Sequence, residues 1–199
     1  AATGRPLPPP PDGSPARPLR VCFAGLLMSS KGPHTLLEAL VWLRQRRVAV
    51  EVMLAGGAFQ ADYVACMQQF LRDVGINSNV HFLPALKRVQ LARFFVLQHV
   101  CVFPSLYPEA FGIVAAEAMA SGLALVSSGA GGAAELLVSG ESGLRFKPGD
   151  SRDLANQLQM LVDQPGLLKS LQGKGRARVL EHFTVQRVVA QLEALWMGG

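Results

Sequence analysis

From Val21 onward the sequence alternates short, nearly continuous apolar runs with longer segments whose apolar residues recur at helical spacing, and few folds accommodate that alternation. The strand candidates are residues 20–24, 50–55, 80–83, 100–103, 124–127 and 143–146. Between them, Leu36, Leu37, Leu40 and Leu43 form an apolar stripe behind Pro33, a residue that a first helical turn tolerates. Tyr63, Met67, Phe70, Leu71 and Val74 form a second stripe before Gly75, and Leu154, Leu158, Leu161 and Val162 form a third. Val185, Val188, Val189, Leu192 and Trp196 form the last. Strands that are apolar on both sides, separated by helices, predict an α/β fold: a parallel sheet covered by helices on both faces. Ligands of such sheets bind beyond the carboxyl ends of the strands. The loops after Ala24, Ala55, Leu83, Phe103 and Ser127 are therefore the places to look for chemistry.

The first 19 residues read differently. Pro6, the run Pro8, Pro9, Pro10 and Pro11, Gly13, Pro15 and Pro18 cannot build a core, so residues 1–19 are expected to be an extended, disordered linker and residues 20–199 one domain. A linker in front of a compact domain implies a further unit upstream. No internal repeat is visible. Half of the 199 residues are hydrophobic and 17% are charged, which excludes disorder for most of the length. The mean hydropathy of +0.27 has two readings: an apolar face left open by a missing partner domain, or a core rich in Leu, Val and Ala. No run reaches the ~18 apolar residues of a membrane span, because Arg93, Gln98 and His99 break the window 91–104, and Glu117 and Ser121 break 111–126. The N-terminus lacks the apolar core of a secretion signal. Cys22, Cys66 and Cys101 form no disulfide framework, which fits a reducing, cytoplasmic setting. The net charge of +5 is scattered, without the interleaved aromatics of a nucleic-acid surface. Apolar surface and positive charge together are compatible with peripheral membrane contact.

The loop after Phe103 carries the densest information. A helix is expected to start near Phe111 or Gly112 and to end at Gly122. Its first amides have no intrahelical partners and its positive dipole end faces the ligand edge of the sheet, an arrangement that receives phosphate. Gly112 lets a phosphate approach the backbone closely. Glu109 lies just before this helix and Glu117 about one and a half turns into it. Each has a plain alternative, Glu109 as a helix cap and Glu117 as a solvated helix residue. Yet Ile113, Val114, Ala115, Ala116, Ala118 and Met119 surround Glu117, and a carboxylate in so apolar a helix requires a partner. The two carboxylates can address one polyol, since each accepts hydrogen bonds from neighbouring hydroxyls. Lys31, before the Gly32-Pro33 helix start, is either a solvated loop residue or a cation fixed at the same edge.

The segment from Pro108 to Gly122, with Glu109 and Glu117 eight positions apart, resembles the Glu-x7-Glu signature of retaining GT-B glycosyltransferases of the large family-4 kind, the glycosyl transferases group 1. The likeness extends from about Arg20 to Trp196. Phe23-Ala-Gly25 followed by Lys31-Gly32 resembles the family's first strand and phosphate loop, and Gly129-Ala-Gly-Gly132 with Glu135 and Gly143 resembles its late glycine segment. Lys147-Pro-Gly-Asp150 and a closing helix over 183–196 complete the order. The resemblance implies one half of a GT-B fold, a Rossmann-like domain that binds a nucleotide-sugar donor for metal-independent transfer. The acceptor would belong to an N-terminal domain absent from this chain, so that the chain alone would transfer little. It also implies roles: Glu109 and Lys31 catalytic, at the sugar and at the departing diphosphate. Glu117 would hold the ribose, and Gly25, Phe111, Gly112, Ile113 and Val114 would take the diphosphate and sugar, with the base near Pro84 and Leu86. Two positions depart from the family: Leu26 stands where Arg is usual after the glycine, and Pro84 where glycine is common. Two other readings stay open, a GT-B epimerase or phosphorylase relative and a non-catalytic nucleotide-binding module of the same fold.

One other motif needs weighing. Gly129-Ala-Gly131-Gly-Ala-Ala134 satisfies the dinucleotide fingerprint, but Gly140 stops the following helix early and too few strands remain. His34, His81, His99 and His182 are dispersed without ligand spacing, so no metal and no bound cofactor is expected. Nucleic acid is not an expected partner. Base, sugar and acceptor are not legible.

Overall fold

A computed structural model of the chain describes residues 8–187, 189 and 193. Six strands, β1 (Leu19–Ala24), β2 (Val50–Ala55), β3 (Val80–Leu83), β4 (Val100–Phe103), β5 (Ala124–Ser127) and β6 (Leu144–Arg145), form one sheet in the order β3-β2-β1-β4-β5-β6. Every pairing is parallel. The α-helices that connect or follow them are α1 (Pro33–Gln45), α2 (Ala61–Asp73), α3 (Arg88–Phe95), α4 (Ile113–Ala120), α5 (Ser151–Asp163) and α6 (Pro165–His182). This is the expected Rossmann-like sheet, and four of the six strands begin and end where the apolar runs do. The first begins one residue earlier than its run. The last is only two residues long, because pairing with β5 stops after Ser127↔Arg145.

Successive strand residues face opposite sides, so the sheet sorts its side chains into two cores. Val21, Phe23, Val52, Leu54, Val100 and Val102 meet α1 and α5 on one face, where Leu36, Leu40, Leu154, Leu158 and Leu161 are buried. Cys22, Ala24, Cys101, Phe103 and Leu125 meet α4 on the other, through Ala115, Ala118 and Met119. Helix α6 contributes Leu168 and Leu171 to the first core and Val179 to the second.

Sequence patterning did not place α3 or α6. Helix α6 buries Leu168, Leu171, Gly175 and Val179, a helical spacing interrupted by a glycine where a stripe is sought. Helix α3 has only eight residues and buries only Phe94 and Phe95, too few for a period to emerge. Of the expected closing helix over 183–196, residues 185–187, 189 and 193 are helical, and 188, 190–192 and 194–196 lie outside the described residues.

The proline-rich start behaves otherwise than an extended linker from Pro8 onward. The His99 ring lies 3.0 Å from the Pro9 carbonyl, and the Ala49 amide donates to the Gly13 carbonyl at 2.8 Å. Pro11 and Gly13 are buried against the body. Prolines lose no amide bond here, because the contacts use their carbonyls.

Strand order reverses direction between β1 and β4, and the cleft opens at that point. The loops after Ala24 and Phe103 face each other across it.

Candidate functional site

The loop after β1 turns through Gly25 and Leu26 into a single 3-10 turn, Ser29–Lys31, that ends on Gly32 with φ 67°. A β-carbon on Gly32 would stand 2.1 Å from the Pro104 carbonyl oxygen, so the two loops approach as closely as backbone allows. The Leu106 amide donates to the Ser30 carbonyl at 2.9 Å and ties the loops together. Lys31 is thereby set beside the loop that carries Glu109.

Glu109 is fixed at both its backbone and its side chain. Its amide donates to the Ala130 carbonyl at 3.1 Å and its carbonyl accepts from Gly132 at 2.7 Å, which holds it against the glycine segment after β5. Lys31 Nζ lies 2.6 Å from Oε1 and 2.7 Å from Oε2. The Ser105 hydroxyl donates to Oε1 as well, and Ser128 donates to the Ser105 carbonyl at 2.7 Å. Glu109 does not act as a helix cap, since the N-cap residue of α4 is Gly112 and no side chain caps it. Gly112 has φ 89°, and a β-carbon there would press on the Phe103 ring at 3.2 Å. The first-turn amides of α4 thus stay open to an incoming anion.

A cavity of about 280 Å³ lies over this point. Gly25, Lys31, Glu109, Phe111, Gly112, Ile113 and Val114 line it, together with Phe23, Ala24, Phe103, Ser105 and Ala110. The fold therefore brings together seven of the ten residues singled out from the sequence. Glu117, Pro84 and Leu86 lie outside this lining. Leu86, like Phe111 and Val114, is partly buried against the second core, whereas Pro84 is exposed. The partner that Glu117 requires is Arg88, whose Nε lies 3.4 Å from Oε1. Leu26 is 47% exposed and brings no charge to the loop that holds Lys31.

Ser105 was missed in the sequence. It is 1% exposed and holds Glu109, but a serine after Pro104 has the signature of an ordinary loop residue. Its role depends on a neighbour that only the folded loop supplies. The glycine run 129–134 leads into a four-residue 3-10 turn, Gly132–Glu135, rather than an α-helix, so the dinucleotide fingerprint lacks the helix its mechanism requires. Among the described residues, no three His, Cys, Asp or Glu side chains gather in a way that could hold a metal ion.

Residues 9–178 match the model of the glycosyl transferases group 1 family. The chain belongs to that family. Among curated glycosyltransferases, the D-inositol 3-phosphate glycosyltransferase of Arthrobacter sp. (strain FB24) is 31% identical over 179 residues, which is 89% of this chain and 42% of that protein. The MMP alpha-(1->4)-mannosyltransferase of Mycolicibacterium hassiacum is 35% identical over 177 residues, or 88% of this chain and 42% of that protein. Among solved structures, Anabaena Alr3699/HepE in complex with UDP-glucose superposes with a TM-score of 0.84 at 27% identity, covering 92% of this chain and 50% of that one. A C-terminal domain of a group 1 glycosyl transferase (LpcC) from Francisella tularensis shares the fold, with a TM-score of 0.77 at 23% identity, covering 84% of this chain and 87% of that one. This glycosyltransferase chain thus spans less than half the length of the curated relatives it matches. Its sheet is the Rossmann-like half seen in GT-B glycosyltransferases.

Proposed function

We propose that this domain binds a nucleoside-diphosphate sugar and supports its transfer, with retention of anomeric configuration and without a metal, to an acceptor held by an N-terminal domain. The observation that carries the proposal is the pair Lys31–Glu109 at 2.6 Å, set beside the open amide end of α4 where strand order reverses. The donor diphosphate would lie over Gly112, Ile113 and Val114, where backbone amides and the helix dipole offset its charge. Lys31 supplies a fixed cation where negative charge accumulates as the bond from the anomeric carbon to phosphate breaks, a role that in other active sites falls to a metal. Glu109 faces the sugar hydroxyls, Glu117 takes the ribose, and the base rests near Pro84 and Leu86. The Anabaena relative was crystallised with UDP-glucose and with UDP and glucose, so uridine is the first base to try.

Calorimetric titration with UDP, GDP, ADP and NAD, each with and without EDTA, tests this. One diphosphate nucleotide should bind, unaffected by EDTA, and Glu117→Ala should abolish the binding. Equal binding of NAD and UDP, or loss of binding on chelation, would sink the donor reading. A second reading rests on Leu26, which leaves the loop after β1 with no charge beside Lys31: a nucleotide-binding module that no longer transfers sugar. Binding without turnover in a protein containing both halves would favour it.

A further inference from the structure

Each carboxylate of the Glu109…Glu117 pair faces a cation delivered by a different element: Lys31 of the turn after β1 for Glu109, and Arg88 of α3 for Glu117. The sequence called for a partner to Glu117 without naming it, and did not pair Lys31 with Glu109. Arg88 is the first residue of α3, immediately after the loop of Pro84 and Leu86, and that helix starts on Lys87 and Arg88 with no acid in its first turn. Cations at the positive end of a helix are unfavourable, so an unoffset pair of them is an anomaly. Glu117 supplies the missing negative charge from across the cleft margin. It sits three positions on from Val114 and four from Ile113, so it shares their side of α4. Leu86, Phe111 and Val114 each pack against the second core, and α3 and α4 are in contact.

We propose that Arg88 is a positioning residue for Glu117: it engages Oε1 and so presents Oε2 to the ribose hydroxyls of the donor nucleotide. The inference rests on the reading of Glu117 as the ribose partner. A carboxylate has lone pairs for several donors, so one cation and a diol can share it. With 90% of the Arg88 side chain and 30% of that of Glu117 exposed, water and salt weaken the pair in the free domain. A nucleotide spanning the loop of residues 84–86 and the start of α4 would cover it, which strengthens the pair only when ligand is bound.

The test compares UDP with 2′-deoxyuridine 5′-diphosphate in calorimetric titrations of the 199-residue chain. The wild type should prefer the ribonucleotide. Arg88→Ala should weaken UDP about fivefold, the upper range for an exposed ion pair, and leave the deoxy compound nearly unchanged. Arg88→Lys should recover part of the preference. If Arg88→Ala weakens both ligands equally, the residue contacts phosphate or base and the positioning role is overturned. If the variant retains the wild-type preference, the role is overturned too. A wild type that binds UDP with no preference for ribose removes the Glu117 reading and this inference with it, whereas failure confined to the arginine variants leaves the donor reading intact.

Discussion

The side chain of Glu109 meets Lys31 and Ser105 while its backbone is bound to residues 130 and 132, so its carboxylate occupies one position before any ligand arrives. Such preorganisation is what makes a charge effective in catalysis, because no reorientation accompanies the reaction. In a protein that contains both halves of the fold, Lys31→Ala should lower kcat about a hundredfold, as loss of one oxyanion donor does, with Lys31→Arg recovering part of it. An unchanged kcat in a sugar-transfer assay would remove Lys31 from the mechanism. The cysteines give a second expectation. Cys22 and Cys101 face each other in register across β1 and β4 and are both buried, and burial pushes the Cys22 thiol well above its ordinary range. Cys66 is exposed on α2. A thiol reagent should label Cys66 in the native protein and reach the other two only in denaturant. Rapid labelling of Cys22 would contradict the two-core arrangement. At the level of single residues, Glu109, Lys31 and Gly112 could be read from neighbouring residues in the chain, whereas Ser105 and Arg88 could not. Their partners lie 4 and 29 positions away, and nothing local marks the contact.

Strands were the most legible elements. Parallel strands of a covered sheet are largely apolar and turns bound them, so β2, β3, β4 and β5 coincide with their runs; β4 and β5 are buried throughout, whereas β2 and β3 admit Glu51 and His81 towards the sheet edge. Helices covering a sheet need only one apolar side, and α6 mixes its stripe with glycines and with Arg176 and Arg178, whose guanidinium groups reach backbone carbonyls at Ala120, Glu135 and Leu136. The start of the chain departed most from expectation, because His99 acts as its clasp. The Arg20 amide donates to Nδ1 at 3.0 Å, so Nε2 carries the proton and donates to the Pro9 carbonyl. Burial holds the His99 pKa below its usual 6.5; the Pro9 carbonyl opposes this and the Arg20 charge adds to it. As pH falls past 6.5 the unfolded chain therefore takes up a proton before the folded one does. The stability contributed by neutral His99 is present above that pH and is lost as pH drops through the lower, folded value. Melting curves should show Tm falling on acidification in this window, with a shallower slope in His99→Gln. An identical slope in the variant would place the acid sensitivity elsewhere.

For the molecule as a whole, the site lies at an open edge of the sheet. Leu26, Phe59 and Tyr107 are exposed on the loops that follow β1, β2 and β4, and Ile113 is exposed at the start of α4. Together with the 42% of the Arthrobacter and Mycolicibacterium relatives that the chain spans, this leads us to expect nucleotide binding but negligible sugar transfer by the chain alone. A radiolabelled transfer assay comparing it with a protein that has both halves checks this, and comparable turnover would show that the domain needs no partner. Among the described residues no helix is long and apolar enough to cross a membrane. The succession of strands, helices α1, α2, α4 and α5, the open start of α4 and the placement of Glu109 and Lys31 at one edge follow from local rules, since period, turn residues and helix-start geometry are written in adjacent positions. Which side chains pair across that edge does not. Ser105 with Glu109, Arg88 with Glu117, and His99 with the proline-rich start depend on how the sheet order 3-2-1-4-5-6 brings distant loops together, and a contact made by topology leaves no periodic trace in the chain.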